Sequence, residues 1–158
     1  AAIGTWIVDG GVITQSDTEM TDYVAGTGLA GEQFTVSVNI LLPPDVPDAG
    51  AGIIFHMQGR DDRGSGHMVR FGSGGREILW GNYDANGVFV GEGGVGLELP
   101  TGEPSSLMLV VREGSYDIQV NGAAVVTDIP IEPGGGWIGL LSFSGPVEFS
   151  NVSVQLGQ

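Results

Sequence analysis

The stretch Gly50–Asp84, GAGIIFHMQGRDDRGSGHMVRFGSGGREILWGNYD, divides into three short alternating segments: Gly52–Gln58, His67–Phe71 and Glu77–Asp84. Loops rich in glycine and charge separate them. A period of two is what a strand imposes, because successive side chains leave it on opposite sides. Three such segments in a row require a sheet with one face buried. The alternation places Ile53, Phe55 and Met57 on the core face with Val69, Phe71, Leu79 and Tyr83. The opposite face then carries Ile54, His56, Gln58, Met68, Arg70, Trp80, Asn82 and Asp84. That second set mixes an aromatic ring, hydrogen-bonding groups of both kinds and a fixed positive charge, which is the chemistry of a wet binding surface.

The rest of the chain supplies the partner strands. Phe34–Ile40 (FTVSVNI) alternates without a break, with Phe34, Val36, Val38 and Ile40 inward. Gly4–Gln15 reads as a hairpin turning at Asp9-Gly10-Gly11, and the acidic segment Ser16–Thr27 as a crossing at the edge of the domain. Leu42–Gly50 is a loop, by its three prolines. Val88–Val90 reads as a short strand inside the glycine-rich stretch 85–99. Leu107–Arg112 (LMLVVR) is apolar on both sides, as expected of a central strand covered on both faces or packed against the partner sheet. Asn121-Gly122 between Ser115–Val120 and Ala124–Thr127 marks a hairpin, since both residues accept the positive φ of a type I′ turn. Ile129–Pro133 is extended by its prolines, and Trp137–Phe143 and Val147–Leu156 close the chain. No helical periodicity of useful length occurs. With 29 glycines and 8 prolines in 158 residues, many short strands joined by tight turns are expected, in a single domain spanning 1–158.

Charge narrows the partners. The formal net charge is -14, and the five basic residues are all arginine. Such a surface repels phosphate backbones and anionic lipid, so nucleic-acid and membrane-surface roles are disfavoured. No apolar run approaches the roughly 20 residues that cross a bilayer as a helix, so no membrane insertion is expected. The acidity has two readings: solubility in a saline or extracellular setting, or carboxylates that hold calcium, a cation that takes oxygen ligands. Asp61 and Asp62 are the metal candidates, with Arg60 and Arg63 beside them as competing neutralisation. Calcium is thus admitted as a cofactor and none is required. Cysteine is absent, which excludes disulfides and thiolate metal sites. The opening Ala1-Ala2 is compatible with a removed signal peptide.

The order of motifs carries a resemblance. A W-x-x-x-D-G (Trp6, Asp9, Gly10) precedes an acidic segment and the alternating strand. Then follow A-G-I-I-F (Ala51–Phe55), Y-D-I-Q-V-N-G (Tyr116–Gly122), and a closing G-x-I-G-L with V-x-F-x-N-V-x-V (Gly136–Leu140, Val147–Val154). Over nearly the whole chain this resembles the concanavalin A-like lectin/glucanase superfamily, in particular laminin-G-like and keto-disaccharide-hydrolase-like domains of secreted bacterial proteins. The resemblance implies an all-β jelly-roll β-sandwich of two antiparallel sheets, with carbohydrate bound on the concave sheet or its rim. Trp6 and Trp137 read as plugs of the sandwich core.

Glucanases of that superfamily carry paired carboxylates close together on one strand, facing one sugar. Here the nearest approach is Glu77 with Asp84, seven residues apart and on opposite faces of a regular strand. A non-catalytic, lectin-like glycan-binding module is therefore the expectation. Trp80 would serve as stacking ring, or as a lid under a long loop, and His56, Gln58, Arg70, Asn82 and Asp84 as donors and acceptors. His56 and His67 flank the same loop and could meet a carboxylate. A structural or filament-forming extracellular subunit, self-associating through apolar edges such as Val88–Val90, is the competing class. Enzymatic glycoside cleavage is a third.

Overall fold

The structure, a computed structural model, describes residues 6–15, 23–30, 32–58 and 66–156. Its described residues form β1 (Trp6–Asp9), β2 (Val12–Gln15), β3 (Tyr23–Ala30), β4 (Phe34–Leu41), β5 (Gly50–Met57), β6 (His67–Gly72) and β7 (Glu77–Tyr83). They continue as β8 (Phe89–Gly96), β9 (Ser105–Arg112), β10 (Ser115–Val120), β11 (Ala123–Pro130), β12 (Gly136–Phe143) and β13 (Val147–Leu156). Two antiparallel sheets result. One runs β1-β2-β13-β4-β9-β10-β11, the other β3-β12-β5-β6-β7-β8. The chain crosses repeatedly between sheets, which is jelly-roll topology rather than a simple meander.

The alternation in Phe34–Ile40 is realised: β4 lies mid-sheet between β13 and β9, and Phe34, Val36, Val38 and Ile40 are buried. Facing them across the sandwich are Ala51, Ile53, Phe55, Val69, Phe71 and Ile78, with Leu107, Leu109, Val111, Tyr116, Ile118, Leu140 and Phe149 completing one core. Phe55 is a pivot of it, meeting Tyr116 and Phe34 edge-to-face at 5.1 and 6.1 Å.

Several expectations are resolved or corrected. Leu107–Arg112 lies within β9 and takes the second of the two expected arrangements, packed against the partner sheet: Leu107, Leu109 and Val111 are buried while Met108, Val110 and Arg112 are half-buried. The doubly covered strand is β5, buried at every position. Tyr23–Ala30 is a strand paired to β12, where the last residues of the crossing Ser16–Thr27 were expected; the acidic part of that segment lies outside the described residues. In place of Val88–Val90 stands a longer strand that begins one residue later, Phe89–Gly96. Its glycines are accommodations: a Cβ on Gly93 would stand 2.4 Å from the Trp80 indole, and one on Gly94 2.7 Å from Leu79.

A further correction concerns faces. The register pairs Ala51 with Phe71 and Ile78, and Ile53 with Val69 and Trp80. Trp80 and Asn82 therefore lie on the inner side of β7, and Leu79 and Tyr83 on the outer side. Ile78-Leu79-Trp80 is apolar three times over, so period two alone could not choose its face; pairing with β6 does. In β5 the inversion has another cause. His56 has φ 57°, and the β5–β12 register slips between Trp137 and Gly139. This bulge turns His56 to the core side beside Phe55, while Met57 joins Ile54, Met68, Tyr83 and Leu141 in a second buried cluster on the outer face. Trp137 packs against that second cluster rather than plugging the main core.

Candidate functional site

The end of the sandwich where β5 and β7 finish and β6 and β12 begin holds a cavity of about 390 Å³. Its wall includes His56, Gln58, His67, Asn82 and Asp84, closed by Glu132 and the Pro133-Gly134-Gly135 turn. Each side chain is delivered by a nameable local feature. The left-handed bulge in β5 swings the His56 imidazole to this end, and an uncommon φ for a non-glycine residue marks a position worth explaining. Gly136 lies against the backbone of that bulge: a Cβ there would stand 2.4 Å from the Met57 carbonyl oxygen and 2.7 Å from the His56 carbonyl carbon. His67 is the first residue of β6 and pairs with Phe55 and with Asn82.

His56 is only 5% exposed, and its Nε2 has no hydrogen-bond partner. Its ring sits edge-on to Phe55 at 5.0 Å, to His67 at 5.8 Å and to Phe34 at 6.2 Å. Burial, reinforced by His67, lowers its pKa from 6.5 to about 4, so the imidazole is neutral near pH 7. Burial also lowers His67, opposed by the Glu132 carboxylate. A buried polar atom without a partner is rare enough to need a reason, and a ligand atom supplied from the cavity is one.

The remaining groups are partly committed. The Gln58 amide donates to the His56 carbonyl at 2.9 Å, bracing the bulge. Asp84 caps the β7–β8 turn: its Oδ1 accepts from the N–H groups of Asn86 and Val88 at 2.9 and 3.0 Å. Of the six residues read from the sequence as a binding set, His56, Gln58, Asn82 and Asp84 meet at this cavity. Trp80 and Arg70 do not. Trp80 packs half-buried against the main core under β8, so it is neither an open platform nor a member of the cavity. Arg70 is on the outer face, its guanidinium 4.2 Å from the Phe143 ring centroid and 5.9 Å from that of Phe89. The reading of the chain missed Glu132 and the Pro133–Gly135 turn, whose only signal was a carboxylate entering a run of glycines. It noted His67 only as a loop-flanking partner of His56. Asp61 and Asp62, the calcium candidates, lie outside the described residues. Among the described residues no group of three or more His, Asp or Glu side chains is placed to hold a metal ion.

Two antiparallel sheets in this order define the jelly-roll sandwich of galectin-like and carbohydrate-binding-module proteins. The chain is similar to the carbohydrate-binding module CBM66 from Bacillus subtilis, with TM-score 0.82 and 14% identity over 97% of this chain and 92% of that one. It is similar to the carbohydrate recognition domain of Emp47p (TM-score 0.73, 11% identity, 100% and 88% covered). It is also similar to a candidate glycosyl hydrolase from Parabacteroides distasonis (TM-score 0.65, 16% identity, 97% and 83% covered). No family model and no curated protein matches the sequence.

Proposed function

We propose that this chain is a non-catalytic carbohydrate-binding module, of the concanavalin A-like superfamily, from a secreted or cell-surface bacterial protein. We further propose that the sugar enters the cavity at the His56 end of the sandwich. The observation that carries this reading is the unpaired, buried Nε2 of His56, a residue at the wall of a cavity that Gln58, Asn82, Asp84 and Glu132 also line. A hydroxyl both donates and accepts, so it satisfies a neutral imidazole in either tautomer, and it suits Asn82, Asp84 and Glu132 equally. The volume falls within the usual range for small-ligand sites. The likeness to CBM66 and to the Emp47p domain supports the class, and the resemblance seen in the sequence motifs supports the bacterial, extracellular setting.

Calorimetric titration against a panel of neutral and charged oligosaccharides tests the proposal. Asn82→Ala is expected to weaken the ligand found by about tenfold, the worth of roughly one hydrogen bond, with little change in melting temperature. Wild-type protein that binds no glycan on the panel would remove the reading.

One observation favours self-association as a second reading. β8 is an edge strand with Val90 and Val95 exposed by 47% and 39%, preceded by Val88, exposed by 57%, and it carries no proline and a single charge, Glu92. The edge at β11 is protected by contrast. There, Arg112 bridges Asp117 and Asp128 at 2.7 and 2.9 Å, register irregularities interrupt the β10–β11 ladder, and Pro130 ends the strand. A binding module predicts a concentration-independent sedimentation profile. A dimer or polymer dispersed by Val90→Lys would support assembly instead.

A further inference from the structure

We infer that the chain carries a second sugar site, for a hexose with a free hydroxymethyl arm, at the end of the sandwich opposite His56. The inference rests on the reading of the chain as a glycan-binding module. Segments 40–47, 73–76 and 98–105 meet at that end. They form a cleft of about 490 Å³, larger than the cavity at His56 and within the range of small-ligand sites. Pro44 and Leu99 line both this cleft and an adjoining pocket of about 40 Å³. Ser105, the first residue of β9, lines that pocket; it is 1% exposed, and its Oγ has no hydrogen-bond partner. A buried hydroxyl left unpaired needs a reason. One water takes roughly 10–15 Å³ of such space, so the pocket has room for a hydroxymethyl group, whose oxygen both donates and accepts.

The cleft outside the pocket holds what the rest of a sugar ring needs. Arg76 is tethered through Nε, which donates to the Ser73 carbonyl at 3.0 Å. Among the described residues its two Nη groups make no hydrogen bond or ion pair, so a planar fork of donors stays available. Asp45, Glu98 and Thr101 supply acceptors on the same wall. The β6–β7 turn that carries Arg76 is fixed by its own backbone. The Gly74 N–H donates to the Ala49 carbonyl at 2.9 Å, and those of Gly75 and Arg76 donate to the Gly72 carbonyl at 3.0 and 3.2 Å. The two sites stand at opposite ends of β5, whose eight residues span about 25 Å. Each therefore takes its own stretch of sugar, and a long polysaccharide gains avidity from both.

The test is a set of backbone amide titrations with the methyl glycosides of glucose, galactose and mannose, each beside its 6-deoxy counterpart of the same configuration. The 6-deoxy compound keeps the ring and loses only the hydroxyl of the arm. At least one hexoside is expected to move the signals of Gly74, Gly75, Arg76 and Thr101 to saturation. Its 6-deoxy form is expected to bind there about tenfold more weakly, the worth of roughly one hydrogen bond. Arg76→Ala should weaken this site and leave shifts at the His56 end unchanged. Ser105→Ala should erase the preference for the hydroxymethyl form with the melting temperature unchanged or raised, since it removes an unsatisfied buried group. Saturation confined to the His56 end would overturn the inference while leaving the glycan reading standing. So would equal binding of the 6-deoxy compound, or shifts around Gly74 that neither variant diminishes. Failure of every sugar to bind at either end would overturn both.

Discussion

Gly136→Ala is expected to destabilise the protein by roughly 3 kcal/mol, at the upper end of what overpacking costs, and to lower the melting temperature by about 6–12 °C. The reason is that the atoms in the way cannot rotate aside. A Cβ on Gly136 would stand 2.4 Å from the Met57 carbonyl oxygen, and 2.7 and 2.9 Å from the carbonyl carbon and Cα of His56. All three belong to the backbone of the β5 bulge. Accommodation must part β12 from β5 or unwind the bulge, and either path displaces the His56 imidazole from the cavity. Glycan binding should therefore fall along with stability. Gly96→Ala is the control: it lies on the edge strand β8 with nothing within 4 Å of an added Cβ. Melting curves showing the two variants equally stable would contradict this account of the bulge.

The second large effect is acid sensitivity traceable to one residue. In the unfolded chain His56 takes up a proton near its ordinary pKa of 6.5; in the folded protein burial and His67 hold it unprotonated until about pH 4. Between those values the unfolded state binds more protons than the native one, so stability falls as pH falls. The native fold is at full strength above pH 6.5 and loses about 3 kcal/mol to this residue by pH 4, a shift of roughly 2.5 pH units at about 1.4 kcal/mol each. His67, also lowered, adds to the slope in the same direction. Carboxylate protonation contributes mainly at lower pH. Denaturant titrations at pH 7, 5.5 and 4 should show the loss, and His56→Asn should flatten much of it, because asparagine is uncharged and tolerates the left-handed backbone. An unchanged slope in that variant would place the acid sensitivity elsewhere.

The sheets themselves were legible where one face is apolar and the other polar, as in Phe34–Ile40 and in the Asn121-Gly122 hairpin. Legibility failed where that contrast vanishes. Ile78-Leu79-Trp80 has no polar member, and only hydrogen-bond pairing with β6 decides that Trp80 turns inward. The bulge at His56 was invisible, because a left-handed histidine carries no residue-type signal of the kind glycine gives. Those two facts together turned one imagined binding face into two separate places. Arg70 stays on the outer sheet face among Phe89 and Phe143. His56 and Asn82 go to the end of the sandwich with Gln58 and Asp84. The site also depends on residues distant in sequence: Glu132 comes near enough to His67 to act on its ionisation because the segment after β11 lines the same cavity. Nothing in the spacing of 65 residues between them announces that meeting.

The histidine side chains give the most direct test of where a ligand goes. Two-bond proton–nitrogen correlation spectra of the imidazoles, recorded during titration with the sugar the panel identifies, report on Nε2 of His56 itself. The account predicts that the His56 Nε2 resonance shifts progressively to saturation, with His67 following, as the orphan nitrogen gains a hydroxyl partner. Saturable binding that leaves both imidazoles untouched, and instead perturbs Phe89, Phe143 and Trp137 on the outer sheet face, would contradict it.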